Sequence, residues 1–381
     1  MLVSLLLITI SCIVIWRSSH GFEVASDYLG RKLPPGIKGA TLNAIASSMP
    51  EFLTTLFFLF YLRSPEGFSG GLGVTSGSAM FNLLIIPALV VIILFSIGKG
   101  RNIILNKKVL LREGVVLLIS QVVFVSFLFM GDLRASHGLI MVLIYMLYLG
   151  ILFVITQRKK RADPGYDAPV DTKRQHMLIR FIALDITHLI LNRREINRGR
   201  AWTLLGASTL VMTFGTWLLV HATVQFGQET GIPLIFVAVV LSAVATSVPD
   251  TIISIKDARK GNYDDAVSNA LGSNIFDIAF ALGLPILLYN VIYGNTMILN
   301  RDVLAFTQEV WVFLLLSTVL ALAIMLTGKY FNRRKAFLLL GIYVLFLIFV
   351  GTQVTEGLQG IGQPLGDFLK AVADWIGQQL H

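Results

Sequence analysis

Cysteine is almost absent from this sequence. Cys12 stands alone among 381 residues, which excludes an internal disulfide and a thiolate zinc cluster. Charge is scarce as well: Lys, Arg, Asp and Glu make up 14% of the chain, where a soluble domain carries about 25%. The six histidines (His20, His137, His176, His188, His221 and His381) all lie outside the polar motifs described below, so those motifs offer no ligand set suited to zinc or copper. Short segments of alternating polarity are missing too, which excludes an outer-membrane β-barrel. What is abundant is apolar: 55% of residues are hydrophobic and mean hydropathy is +0.76. Many runs reach the ~20 residues needed to cross a bilayer. The fold class expected is an all-α membrane protein.

Ten spans are expected, at about 2–29, 37–61, 75–98, 109–130, 136–156, 201–226, 232–256, 263–292, 303–327 and 336–353. The opening "MLVSLLLITISCIVIW" has no preceding basic residues and no small-residue cleavage site, so it reads as a retained first span rather than a signal peptide. Cys12 within it reads as a small apolar packing residue.

The net charge of +9 is a matter of topology. With the amino terminus outside, 26 of the 31 basic residues fall in inner segments and four (Arg63, Arg134, Arg301 and Lys370) in outer ones. That is the positive-inside pattern, so both termini are expected outside, in a plasma membrane or a bacterial inner membrane. The basic charge gives no reason to invoke nucleic acid. Residues 158–200 form the longest polar stretch and read as a cytoplasmic linker, with an interfacial helix near 176–191. They separate a first five-helix repeat (1–157) from a second (201–353). The tail 354–381 reads as an amphipathic helix on the outer surface.

Two short motifs link these halves. "ASSMPE" at 46–51 matches "ATSVPD" at 245–250, and "GSAMFN" at 77–82 matches "GSNIFD" at 272–277. Glu51 and Asp250 are 199 residues apart, Asn82 and Asp277 are 195, and the four-residue difference falls in "LRSPEGFSGG", read as a longer connection over 61–73. Five spans per half is an odd number, so the second copy runs the other way through the membrane. Inverted repeats place binding sites near the midplane, on helices with interrupted backbone. Pro50 and Pro249 supply the interruption, since neither donates an amide and each crowds the carbonyl four residues earlier.

A proline or a serine in a membrane helix is often no more than a kink or a packing contact. Acidic residues within a span are different, at ~2.5–3.5 kcal/mol each on the insertion scale. Glu51, Asp250 and Asp277 share helix faces with Ser47, Thr246 and Ser273 at a spacing of four, and Ser78 shares one with Asn82. With Ser48 and Ser247 these are hard oxygen donors, the kind that Ca²⁺ gathers six to eight of at ~2.3–2.6 Å. Gly77 and Gly272 read as sites of close helix approach.

The segment "ATSVPDTIISIKDARKGNYDDAVSNALGSNIFD" (245–277) resembles the second alpha repeat (about 240–285) of the cation/calcium exchanger superfamily. "ASSMPE" with "TSGSAMFN" resembles the first (about 41–88). The resemblance implies ten helices in two inverted repeats and alternating-access antiport, with sodium entry driving calcium exit and no tightly bound cofactor. It further implies an ion site centred on Glu51 and Asp250, with Ser47, Ser48, Thr246 and Ser247 around them and Ser78, Asn82, Ser273 and Asp277 supplied by the following spans. Asp277 in "GSNIFD" is similar to the potassium-dependent branch, which implies K⁺ co-transport; an added charge or a proton carrier is the alternative. Val74 departs from the Asn common in the family and present here at Asn269.

Other readings are a proton/calcium antiporter, a passive channel and an intramembrane enzyme. The last would need a nucleophile and base or a metal-ligand set; no histidine lies in the motifs, and Glu51 and Asp250, which could mimic an aspartyl protease dyad, are flanked by hydroxyls and proline. The expected partners are inorganic cations and the lipid bilayer. Oligomeric state has no signature in the sequence.

Overall fold

The computed structural model describes residues 1–31, 42, 44–98, 103–157, 180, 183–192, 194–294, 297–354 and 359–380. Its helices are α1 (Leu2–Leu29), α2 (Ala44–Leu62), α3 (Pro65–Ser96), α4 (Lys107–Phe129), α5 (Ala135–Gln157) and the short α6 (Ile186–Leu191). They continue with α7 (Arg198–Thr230), α8 (Leu234–Arg259), α9 (Tyr263–Tyr293), α10 (Arg301–Leu326), α11 (Arg333–Thr352) and α12 (Gln359–Leu380). Among the described residues ten helices, all but α6 and α12, are long and apolar enough to cross a membrane. The chain is an all-α integral membrane protein of two inverted five-helix repeats, α1–α5 and α7–α11.

Backbone groups in hydrocarbon must bond internally, and helices do this within one segment. Their open ends are closed by side chains: Asn106, Asn197 and Asn332 accept from backbone amides at the starts of α4, α7 and α11. Leu143, Leu147 and Val154 on α5 and Leu210 and Phe214 on α7 stay exposed on the perimeter, where lipid replaces water. The apolar core is one large cluster, with Trp311, Phe124, Phe346 and Phe349 fully buried, and three smaller clusters beside it. Long α1 lies along α7, α5 along α9 and α4 along α10; Gln121 and Thr318 bond at 2.9 Å across the last pair. Asp132–Leu133 pairs with Met297–Ile298 as a two-strand clasp between the α4–α5 and α9–α10 connections.

The four central helices α2, α3, α8 and α9 form two hairpins packed on each other. Here the structure corrects the expected connection over 61–73. Only Arg63 and Ser64 separate α2 from α3, and the four additional residues lengthen the helices. Ser64 caps α3 by accepting from the Gly67 amide at 3.2 Å, and Pro65 occupies the first helical position, where its missing amide costs nothing. The glycines of the expected connection form a helical packing stripe instead, which continues to Gly77, where close helix approach was expected. A Cβ on Gly70 would meet the Phe58 ring at 2.7 Å, and one on Gly77 would lie 2.0 Å from the Val239 carbonyl oxygen. Absence of side chains is what lets α3 sit against α2 and α8.

The expected linker at 158–200 lies partly outside the described residues; within it the structure describes α6 and the start of α7. In the tail, α12 rests Leu365, Leu369, Ala373 and Ile376 on the bundle and leaves Phe368 and Trp375 exposed. Cys12 is a partly buried member of a small apolar cluster.

Candidate ion-binding site

The hairpins bring both motif pairs to one place at the middle of the bundle. Ser47, Ser48, Glu51, Ser78, Asn82, Thr246, Ser247, Asp250, Ser273 and Asp277 are all fully buried. Pro249 disturbs α8: regular helix runs to Thr246 and resumes at Val248, and Ser247 between them, at φ −81° and ψ −1°, is bent out of the helical conformation while its amide and carbonyl still bond to Ala243 and Thr251. Pro50 is accommodated within a continuous α2. The two proline positions are therefore alike in sequence and unlike in backbone.

A second irregularity was invisible in the motifs. Helix α3 widens to a π-turn over Phe81–Ile85 and α9 over Phe276–Ala281, so Asn82 and Asp277 each sit at the second residue of a π-turn. Such turns arise where one residue more than the α repeat allows is inserted, and they cluster at functional positions. The matching "FN" and "FD" pairs carried no warning, because helix type within an apolar run leaves no periodic trace that short.

Contacts at the centre run between the repeats as much as within them. On Asp250, Ser273 Oγ donates to Oδ1 at 2.7 Å and Asn82 Nδ2 donates to Oδ2 at 3.0 Å. On Glu51, Ser78 Oγ lies 3.1 Å from Oε1. Ser78 also lies 2.9 Å from Ser247 Oγ and 3.4 Å from Asp277 Oδ2, and Ser47 lies 3.3 Å from Ser273. Ser47 lies near Asp250 and Thr246 near Glu51, so these two hydroxyls, expected beside the acid of their own helix, sit by the acid of the other repeat; each also donates to a carbonyl of its own helix, Ser47 to Ala44 at 3.2 Å and Thr246 to Ala243 at 3.1 Å. Ser48 lies beside Asp277.

The donors do not match the acceptors. One Ser78 proton cannot satisfy three neighbours, and Glu51 Oε2, Asn82 Oδ1 and Asp277 Oδ1 are buried without a hydrogen-bond partner. Among the described residues no basic side chain pairs with these acids; on α8 Lys256 pairs with Glu23 at 3.3 Å. Between Ala44 and Ser96 only Arg63 is basic, and it lies at the α2–α3 turn; Tyr263–Tyr293 contains no basic residue. Buried carboxylates left bare cost several kcal/mol each. A cation taken from solution would meet a mixed set of carboxylate, amide and hydroxyl oxygens, which suits hard ions. Among the described residues no three His, Cys, Asp or Glu side chains converge as a resident metal centre would require. Hydroxyl and amide groups stand between the carboxylates: Ser78 lies between Glu51 and Asp277, and Asn82 and Ser273 are bonded to Asp250.

Two supporting groups lie outside the predicted set. Asn274 reaches across to the Ala79 carbonyl oxygen at 2.9 Å and struts α9 against α3. Tyr145 on α5 packs edge-on to Phe276, with centroids 5.4 Å apart, and its buried hydroxyl has no hydrogen-bond partner. Asn274 was available within "GSNIFD"; Tyr145 sits in a featureless apolar run and gave no signal.

Comparison with known proteins places the chain in a family and a fold. The family described as "Sodium/calcium exchanger protein" matches residues 3–154 and again 200–352. The inner membrane protein YrbG of Escherichia coli (strain K12) is 27% identical over 91% of this chain and 96% of its own length. Sodium/potassium/calcium exchanger 2 of Mus musculus is 36% identical over 38% of this chain, a match that spans only 22% of that longer protein. Among solved structures, the H⁺/Ca²⁺ exchanger CAX superposes with a TM-score of 0.71 at 15% identity, covering 99% of this chain and 91% of that one. The sodium-calcium exchanger NCX_Mj gives 0.56 at 18% identity, covering 90% and 97%. At such identities the likeness is one of fold.

Proposed function

Since this chain belongs to the sodium/calcium exchanger family, a family of transporters, we propose that it is a secondary active antiporter exchanging sodium for calcium by alternating access. The observation that carries this reading is the meeting of Glu51 and Asp250, from oppositely oriented helices, in a buried oxygen cage with unpartnered acceptors. Two negative charges match one Ca²⁺. Hydroxyls and amides complete its shell, and the same oxygens serve Na⁺ once Ca²⁺ has left. The ions are the cargo.

The repeats 1–157 and 201–353 would act as the two bodies whose relative motion opens the site to one side and then the other. By the count of basic residues, both termini face outward and 158–200 lies inside. In a bacterium the membrane would be the inner one, as it is by name for the inner membrane protein YrbG.

Asp277 supports potassium as an additional cargo. It makes a third buried carboxylate, one more than Ca²⁺ neutralises, and relatives named sodium/potassium/calcium exchangers share 36–37% identity over part of the chain. The same surplus charge favours a second reading, proton/calcium antiport, in which a proton neutralises it; the exchanger CAX carries that function in its name. The two are separated by ⁴⁵Ca²⁺ flux in reconstituted vesicles with sodium, potassium and proton gradients imposed one at a time. Uptake driven by an opposing sodium gradient supports the first reading. Uptake driven only by a pH gradient replaces it with the second.

A further inference from the structure

The two central hairpins are alike at the midplane and unlike beyond it. One helical turn from Asp250 toward the α8–α9 turn lies Ser254, and one turn from Ser273 lies Asn269. Asn269 Nδ2 donates to Ser254 Oγ at 3.3 Å. A further turn on, Asp257 on α8 and Asp265 on α9 lie close enough for their like charges to interact. These pairs extend the polar face of the ion site outward. Asp250 and Ser273 are fully buried, Ser254 and Asn269 are buried at 0% and 3% exposure, Asp257 is half-buried and Asp265 is exposed.

In the first repeat three of the four corresponding positions have no polar side chain. Thr55 stands for Ser254, but Val74 stands for Asn269, Phe58 for Asp257 and Gly70 for Asp265, by the offsets of 199 and 195 residues. Phe58 is fully buried on Gly70. One approach to the midplane is thus plugged by a phenyl ring, and the other carries oxygen at every turn.

Two features mark the oxygen-lined approach as a place for an ion rather than a solvated helix end. Asn269 Oδ1 is buried without a hydrogen-bond partner, although the amide nitrogen of the same side chain is engaged. Asp257 and Asp265 make no ion pair with the described residues, while their neighbours are occupied. Asp264 accepts from the Asn106 amide at 2.6 Å, and Glu23 pairs with Lys256 at 3.3 Å and with His20 at 3.4 Å. Lys260, Glu23 and Asp27 also lie near Asp257.

We propose that Asp257, Asp265, Asn269 and Ser254 form a second, shallower divalent-cation stop between the water at the α8–α9 turn and the central site. Its role in transport rests on the exchanger reading; its capacity to bind does not. Two carboxylates match one dication, and two neutral oxygens with water on the exposed side fill out its shell. So few protein ligands predict weak binding, with Kd on the order of 10⁻⁴–10⁻³ M, as suits an ion in transit. By the basic-residue count this mouth faces the cytoplasm, so the stop gathers calcium on the side from which it is extruded.

The test uses the purified full chain in lipid nanodiscs, with Glu51→Gln and Asp250→Asn together disabling the central site, and Mn²⁺ as the probe read by EPR. The account expects one Mn²⁺ still bound in that range. Adding Asp257→Asn should weaken its binding at least about tenfold, and adding Asn269→Val, which copies Val74, at least about threefold. Asp265→Asn serves as a third variant if either elutes as aggregate. No Mn²⁺ bound by the central-site double variant, or binding unchanged by the added substitutions, overturns the proposal. Failure of the exchanger reading would show instead as wild-type vesicles that exchange no calcium, which leaves this titration intact.

Discussion

Asn82 on α3 donates its amide to Asp250 on α8 at 3.0 Å: the neutral residue of one repeat holds the acid of the other. The Asp277 position in the second repeat is charged where Asn82 is not, so the pseudo-symmetric site is asymmetric by one unit of charge. Asn82→Asp should therefore do more harm than loss of one ligand. It removes the donor to Asp250 and sets a like charge about 3 Å away, which destabilises the ionised pair. Calcium exchange should fall at least about tenfold with expression retained, measured as initial ⁴⁵Ca²⁺ flux against Asn82→Ala. Equal activity in the two variants would show that charge at this position is immaterial.

The glycine stripe makes a structural prediction. Gly77→Ala would place a methyl carbon 2.0 Å from the Val239 carbonyl oxygen, so α3 and α8 must separate. Overpacking of this kind costs about 1–3 kcal/mol. Thermal melting in detergent should show a clear drop in midpoint, whereas Gly206→Ala on α7, with open space around its Cα, should leave it within error. A silent Gly77→Ala would mean that the hairpins pack less closely than described.

That stripe also shows where the sequence was legible and where it was not. Proline, acid and hydroxyl spacing located the site, because charged residues inside apolar spans stand out and the inverted copies repeat them. Glycine was ambiguous. "SPEGFSGG" carries the composition of a loop, and only packing against Phe58 and Ser64's cap at the Gly67 amide make it helix. The pairing of hydroxyls with acids could not be read either. Ser47 is four residues from Glu51 on its own helix but serves Asp250, since side-chain spacing fixes a face and not the neighbour that the face meets.

Orientation can be checked by labelling in a Cys12→Ala background. Cysteines at Glu66 and Gln228, both exposed, should react with an impermeant maleimide applied outside intact cells. One at Lys260, exposed at the opposite end, should react only after permeabilisation. Ser69 is unsuitable as a reporter because α3 buries it. The reverse pattern would invert the topology and place the Asp257–Asp265 mouth outside.

Asp277 tests the third charge. Wild-type sodium-driven calcium exchange should be stimulated by K⁺ over an equal concentration of choline. Asp277→Asn should lose that stimulation, since the neutral amide no longer needs a monovalent counter-ion, while part of the exchange survives. Wild-type flux indifferent to K⁺ would remove potassium from the cargo and leave proton neutralisation as the account of this residue.

The central claim is that Glu51 and Asp250 together neutralise the transported calcium. Its most direct test is sodium-driven ⁴⁵Ca²⁺ flux in reconstituted vesicles for the wild type, Glu51→Gln and Asp250→Asn, each purified as a monodisperse protein. Either substitution keeps shape and hydrogen-bonding capacity but leaves one negative charge to face a dication in a poorly hydrated site. Loss of flux to the protein-free background in both variants is the predicted result. Near-normal flux in either one would contradict the account.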